Sequence, residues 1–155
     1  MTKHHAYHLL PLLLACGIAS QSARASLGGD LKSVQADARK AHAAVAVKAA
    51  ESAAYTVHES TLPTGTVVRQ YVSPAGTVFA VVWQGPYMPD LRQLLGESFN
   101  TMVSMQAHAR HAGHPAVDIG TDKLVIQSHG HMHAFVGRAY LPQSLPAGVT
   151  ADAIQ

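Results

Sequence analysis

Histidine is the residue type in this sequence that offers the most obvious chemistry. Of the 11 histidines, eight follow residue 25: His42, His58, His108, His111, His114, His129, His131 and His133. Imidazole nitrogens bind Zn, Cu and Ni, and a structural or catalytic metal site needs three or four converging ligands. His131 and His133 stand two residues apart in a strand-like segment, which predicts that they share a face. With His129 they form the candidate metal-ligand set; the alternative is surface histidines that bind metal only adventitiously.

A second group of histidines falls on a predicted helix. His108 and His111 are three residues apart, and helical steps of about 100° place them away from the apolar side chains of that helix. They are therefore expected to face solvent. The sequence contains no HExxH motif that would turn such a pair into a recognised metal site.

Three arginines stand in apolar or aromatic surroundings, where a guanidinium must find a carboxylate, an anionic ligand or solvent. A structural ion pair is the simpler explanation for each of them. Trp83 and Tyr87 join them as candidates because a predicted strand ends between the two, and binding residues collect in loops at strand ends. The candidate ligand-binding set is Arg69, Trp83, Tyr87, Arg92, His131 and Arg138.

Motifs for covalent catalysis are absent from the sequence. The single cysteine is Cys16, and no GxSxG motif ties a serine to a histidine and a carboxylate. Asp90 and Glu97 could form an acid-base pair, but Asp90 is favoured as a helix N-cap. No catalytic residue is therefore assigned.

The N-terminus has the pattern of an export signal. Lys3 precedes an apolar run over residues 9–19, and Ala23-Arg24-Ala25 matches a signal peptidase site. The run is about half of the roughly 20 residues that cross a bilayer. Residues 1–25 are interpreted as the signal peptide of a periplasmic or secreted protein with no transmembrane segment. Lipid anchoring through Cys16 is the alternative.

Charge argues against one large class of partners. The sequence has 11 basic and 9 acidic residues, and loss of Lys3 and Arg24 with the signal peptide makes the two counts equal. The basic residues are scattered rather than clustered, which argues against nucleic acid. The expected partners are another exported protein or a second copy of the chain.

Three segments are expected after the signal peptide. Residues 26–54 are predicted to be an Ala-rich helix, capped by Asp30 and running to about Ala50, or partly a linker. Residues 55–141 form the predicted core domain. Residues 142–155 are predicted to be a Pro-rich C-terminal extension on the surface.

The core domain alternates strand and turn signals. Predicted strands cover residues 55–61, 66–73, 77–84, 117–119, 123–128 and 131–141. The last two are either a hairpin turning at His129 and Gly130 or one strand kinked there. A helix from Asp90 to Gly113 carries apolar residues at helical spacing. The fold class is therefore α+β: an antiparallel sheet of about five or six strands, with one main amphipathic helix packed on it and an Ala-rich N-terminal helix.

The strand that carries Trp83 is predicted to be central. It is apolar at every position from Val78 to Trp83, which indicates cover on both faces of the sheet. Strict alternation would place Phe79, Val81 and Trp83 on one face, opposite Val78, Ala80 and Val82.

Several segments together resemble a known protein family. They are LGGD (27–30), YTVHE (55–59), LPTGTVVRQYVSPAGTVFAVVWQGPYMPDLRQLLG (62–96) and GHM-x-AF-x-GRAYLP-x-x-LPAGV (130–149), where x marks positions outside the pattern. The family is the uncharacterised proteobacterial exported family catalogued as domain of unknown function 2844. The resemblance implies a small exported protein and supplies no activity or ligand. His131 and Arg138 match the family pattern, whereas His129 and His133 are peculiar to this chain.

Three functional classes remain open from the sequence. The leading one is a non-enzymatic exported binding or interaction module. A histidine-based metal-binding protein, for Zn, Cu or Ni, is the alternative, and a small hydrolase-like enzyme is the third.

Overall fold

The computed structural model describes residues 27–32, 34, 39, 43–49, 54–108 and 117–155, and its main element is an antiparallel sheet. In chain order the strands are β1 (Ala44–Ala49), β2 (Thr56–Thr61), β3 (Val67–Val72), β4 (Val78–Gly85), β5 (Val117–Gly120), β6 (Val125–His131) and β7 (Ala134–Tyr140). Their order across the sheet is β1-β2-β3-β4-β7-β6-β5. Two meanders, β1 to β4 and β5 to β7, therefore join where β4 pairs with β7. The antiparallel sheet is confirmed, and the described residues contribute seven strands to it instead of five or six.

The Ala-rich segment contains a strand where the sequence predicts a helix. Residues 44–49 pair with β2 over their whole length, from Ala44 opposite Thr61 to Ala49 opposite Thr56. Alternating valines favour a strand because their branched side chains fit a pleated surface, and pairing with β2 outweighs the helix propensity of alanine. Helical conformation occurs earlier, at residues 31, 32, 34 and 39. The helix prediction is therefore wrong over residues 44–49.

The single helix predicted to start at Asp90 is two helices, α1 (Leu91–Leu95) and α2 (Ser98–His108). Asp90 caps α1 as predicted: its side chain accepts hydrogen bonds from the backbone N–H groups of Arg92 at 2.9 Å and Gln93 at 3.2 Å. Gly96, at φ 55°, ends α1 in a conformation that glycine adopts without a Cβ penalty. The predicted continuation from residue 109 to Gly113 lies outside the described residues.

Each face of the sheet carries an apolar cluster. On one face, the helix face, Leu95 of α1 and Met102 of α2 are buried in the same cluster as Trp83. On the other, the tail face, the buried cluster comprises Tyr71, Phe79, Ala80, Val82 and Ile154. All residues from Val78 to Trp83 are at most 5% exposed. This burial confirms that β4 is a central strand covered on both sides.

A β-bulge changes which residues of β4 share a face. Tyr71 of β3 pairs with Ala80, but the next residue pairs with Val78, so Phe79 is an extra residue in β4. Val78, Val81 and Trp83 consequently lie in the helix-face cluster, and Phe79, Ala80 and Val82 lie in the tail-face cluster. The strict alternation predicted from the sequence is therefore wrong at Val78 and Phe79.

The C-terminal segment packs across the tail face. It contributes Leu145, Val149 and Ile154 to the apolar cluster there, and Ile154 is only 1% exposed. The hydroxyl of Tyr71 donates to the carbonyl of Gln155 and accepts from its N–H. The prediction of a surface extension over residues 142–155 did not anticipate this packing.

The turn between β6 and β7 lies later in the chain than the sequence predicts. His131 pairs with Ala134, so Met132 and His133 form the turn, with His133 at φ 63°. Gly130 lies inside β6, where a Cβ would come within 2.6 Å of Cδ1 of Phe135. Close packing rather than a turn or kink therefore explains this glycine. Of the two predicted arrangements the hairpin is correct, but its turn lies at Met132 and His133 and not at His129 and Gly130.

Candidate functional site

The tip of the β6–β7 hairpin contacts the loop that follows β4. The imidazole of His133 meets the ring of Tyr87 edge-on, with 6.0 Å between the centroids and 87° between the planes. The main chain of Tyr87 is fixed by the buried Thr66, whose Oγ1 donates to the Tyr87 carbonyl at 2.7 Å and accepts from its N–H at 3.3 Å. Gly85 permits this approach, because a Cβ there would lie 2.5 Å from Cα of Thr66. Specific contacts thus position both the loop and the hairpin tip.

Exposed apolar side chains are neighbours of this contact along the chain, and one more lies in the adjoining part of β7. Met132 is 85% exposed at the hairpin tip, Tyr87 53%, Val136 47% and Met88 40%. A single exposed apolar side chain is ordinary, but a group of them indicates a binding surface. We name Tyr87, Met88, Met132, His133 and Val136 the hairpin-end surface.

In the structure, His129 and His131 share a strand face, whereas the sequence predicted that His131 and His133 would share one. His129 and His131 are alternate residues of β6, opposite Val136 and Ala134 of β7, and both are exposed. His133 lies in the turn, so the prediction that it shares a strand face with His131 is wrong. In the described parts of the chain, no group of three or more His, Cys, Asp or Glu side chains could hold a metal ion.

The other predicted histidine group lies outside the described part of the chain, which does not include His111, His114 or the side chain of His108. The solvent exposure predicted for these histidines stays a prediction.

Trp83 lies on the helix face and is fully buried. Its indole lies against Gly137 of β7, where a Cβ would come within 2.3 Å of Cζ2. The indole Nε1 has no hydrogen-bond partner in the described structure. This position favours the packing role for Trp83 over the ligand-stacking role that the sequence left open.

Arg69 and Arg92 are engaged separately from each other. The Nε of Arg69 donates to Oε2 of Glu59 at 2.9 Å on the tail face, across neighbouring strands. The guanidinium of Arg92 lies 4.5 Å from the ring centroid of Phe99, a cation–π distance. These contacts favour the structural roles that the sequence analysis gave as the simpler explanation, with an ion pair for Arg69 and an aromatic contact for Arg92.

Arg138 links the C-terminal segment to the sheet through hydrogen bonds. Its Nε donates to Oε1 of Gln127 at 2.8 Å, and its Nη1 donates to the carbonyls of Ala151 at 3.1 Å and Ile154 at 3.4 Å. A charged donor satisfies carbonyls that would otherwise lose their water on packing. The candidate ligand-binding set is therefore divided between both faces of the sheet and the loop after β4.

A buried polar cluster that the sequence analysis did not single out lies among the inward residues of β2 and β3. His58 pairs with Gln70 across the two strands, and Ser60 follows on the same face. All three are at most 6% exposed. Nδ1 of His58 has no partner among the described residues, and burial lowers the pKa of His58. A pattern of alternating apolar and polar residues could not show that this face of β2 is buried. The residues on it are polar, and Val57, which points to the opposite face, is also partly buried.

Sequence reasoning also missed Met88, Met132 and Val136. A valine in a strand with alternating apolar residues is normally predicted to be in the core. Val136 is exposed instead, because the described chain does not cover the part of the tail face where it lies. A methionine at a hairpin tip is the signal that could have identified Met132, because turn positions normally carry glycine or small polar residues.

Comparison with known proteins places the chain in a family without adding an activity. In the described parts of the chain, no helix is long and apolar enough to cross a membrane. The comparisons with curated proteins and with solved structures give no match. A family model matches residues 23–154, which is most of the chain. The chain therefore belongs to the family described as "Protein of unknown function (DUF2844)".

Proposed function

We propose that this chain is an exported, non-enzymatic module that binds another exported protein through the hairpin-end surface. The observation that carries the proposal is the exposure of Met132 at a hairpin tip whose neighbour, His133, contacts Tyr87. Burying apolar surface contributes about 25 cal/mol per Å². Aromatic anchors and adaptable methionines are the residue types that protein interfaces favour.

The surroundings of this surface support the proposal. The C-terminal segment covers the part of the tail face around Tyr71 and Phe79. Beyond that cover, Gln84, Val136 and His129 form an exposed row across β4, β7 and β6. A partner can therefore reach both the hairpin tip and an open strip of sheet.

The chemistry of the surface also limits the partner. The hairpin tip projects an apolar side chain, which fits a recess in a partner more readily than it encloses a small ligand. His129, His131 and His133 flank the tip and offer N–H donors. The complementary surface is an apolar protein recess with carboxylate or carbonyl acceptors at its rim.

Site-specific photocrosslinking in the producing cell tests the proposal. A photoreactive amino acid at Met132 or Val136 should crosslink one discrete protein in the exported fraction. Val103 of α2 is a matched control, because it is 46% exposed against 47% for Val136. Val136→Asp should abolish the Met132 crosslink while leaving the thermal transition unchanged.

Two results would refute the proposal. Equal crosslinking at Val103 and Val136 would show that the contact is not specific to this surface. A crosslinked product of twice the chain mass would make a second copy, rather than another exported protein, the partner.

A further inference from the structure

We propose that His129 and His131 form a two-imidazole chelate for Cu(II) on the exposed face of β6. This proposal concerns a metal site and does not rest on the proposed protein partner. It needs both histidines and excludes His133, which the sequence analysis grouped with them.

The strand places the two imidazoles together. His129 and His131 alternate along β6, so they project from the same face with Cα atoms about 6.6 Å apart. Both are exposed, and neither imidazole has a hydrogen-bond or ion-pair partner among the described residues. Their cross-strand neighbours, Val136 and Ala134, carry no polar group that would compete for the ring nitrogens. The pair is thus free to share one ligand.

The hairpin limits how far the two rings can separate. β6 and β7 are paired from Val125 to His131, and Gly130 between the two histidines packs against Phe135. The backbone that carries the two rings is therefore already fixed before a metal ion joins them, which strengthens a chelate.

The donor set selects the metal. Among divalent first-row metal ions, Cu(II) has the highest affinity for a given set of nitrogen ligands, and imidazole is one of its preferred ligands. Cu(II) also accepts tetragonal coordination with water in the remaining positions. A structural zinc site would need four protein ligands, and the described residues contain no group of even three. Two strand imidazoles therefore fit Cu(II) better than structural Zn(II).

Paramagnetic broadening in NMR spectra of the labelled full chain tests the site directly. Because Cu(II) broadens only nearby signals, the method separates this pair from the histidines elsewhere in the chain. Substoichiometric Cu(II) at pH 7.5 should broaden the amide signals of His129, His131, Ala134 and Val136 first.

Single variants show whether both rings bind. His129→Gln and His131→Gln should each weaken local Cu(II) binding about a hundredfold in competition with glycine, because each removes one half of the chelate. His133→Gln is the matched control and should leave the affinity within about twofold. Each variant is checked for an unchanged amide spectrum without metal.

Three results would overturn the proposal. The first is the absence of local broadening in the wild-type chain. The second is broadening that survives in either His129→Gln or His131→Gln. The third is an equal loss in His133→Gln, which would place the ion at the turn.

Discussion

The contact between Trp83 and Gly137 makes a quantitative prediction about the core. Replacing Gly137 by alanine would put a methyl carbon 2.3 Å from Cζ2 and 2.5 Å from Cε2 of a fully buried indole. Carbon atoms in ordinary contact are about 3.5–4.0 Å apart, so the indole or β7 must move by about 1 Å. Overpacking a core costs about 1–3 kcal/mol. We expect Gly137→Ala to reach the upper part of that range, because Trp83 has packed neighbours on a central strand.

A second substitution separates overpacking from a general loss of strand stability. Trp83→Phe removes the colliding ring atoms and also the Nε1–H that has no partner in the described structure. In the Trp83→Phe background, the methyl added by Gly137→Ala meets less obstruction. The double variant should therefore be less destabilised than the sum of the single variants, by about 1 kcal/mol or more.

Urea unfolding followed by far-ultraviolet circular dichroism measures these differences, since Trp83 is the single tryptophan and fluorescence is lost with it. Gly120→Ala in β5 is the matched control: a Cβ there would meet nothing within 4 Å, so its free energy of unfolding should change by less than about 0.5 kcal/mol. An unshifted midpoint for Gly137→Ala would refute the packing argument. Strict additivity in the double variant would refute the assignment of the cost to Trp83.

The parts of the fold that the sequence predicts are those with strong local signals. Gly65 and Gly76, both at φ 84°, lie in the two turns predicted around β3. Backbone hydrogen bonds close these turns, from Gly65 N–H to Leu62 and from Gly76 N–H to Ser73. Asp90 caps a helix because its short carboxylate reaches the first free N–H groups. Each of these features depends on residues within four positions of one another.

The parts that the sequence does not predict depend on distant partners. The β-bulge at Phe79 is set by the pairing of β4 with β3, in which Tyr71 lies opposite Ala80 and Val72 opposite Val78. A one-residue shift of this kind moves neighbouring side chains to opposite faces. Likewise, residues 44–49 are a strand because β2 offers an edge to pair with, which local alanine content does not reveal.

The candidate site was only partly predictable for the same reason. Tyr87 was selected because it follows a strand end, and the structure does place it at an exposed surface. Its partner His133 could not be paired with it, because the position of the β6–β7 turn depends on Gly130 fitting against Phe135. The exposure of Val136 depends on how far the C-terminal segment extends over the sheet. The position of the turn and the exposure of Val136 are both determined by tertiary packing.

Three further predictions concern the ends of the chain and its buried polar groups. Protein from the exported fraction should begin at Ser26 by intact mass, whereas a diacylglyceryl group on Cys16 would show a lipoprotein. Arg138→Met should lower the free energy of unfolding by about 1–3 kcal/mol and speed amide exchange in residues 151–155, because carbonyls of that segment lose their donor. Unchanged exchange there would show that the segment is held by apolar packing alone. The third prediction uses His58, whose pKa burial lowers below its usual 6.5 in the folded state. The unfolded chain then binds the proton more readily, so stability is fully present above pH 6.5 and is lost as pH falls toward the lowered pKa. His58→Gln should remove that part of the pH dependence, which is at most about 1.4 kcal/mol per pH unit. Parallel stability curves for His58→Gln and the wild type between pH 7.5 and 5 would contradict the buried, neutral state of this imidazole.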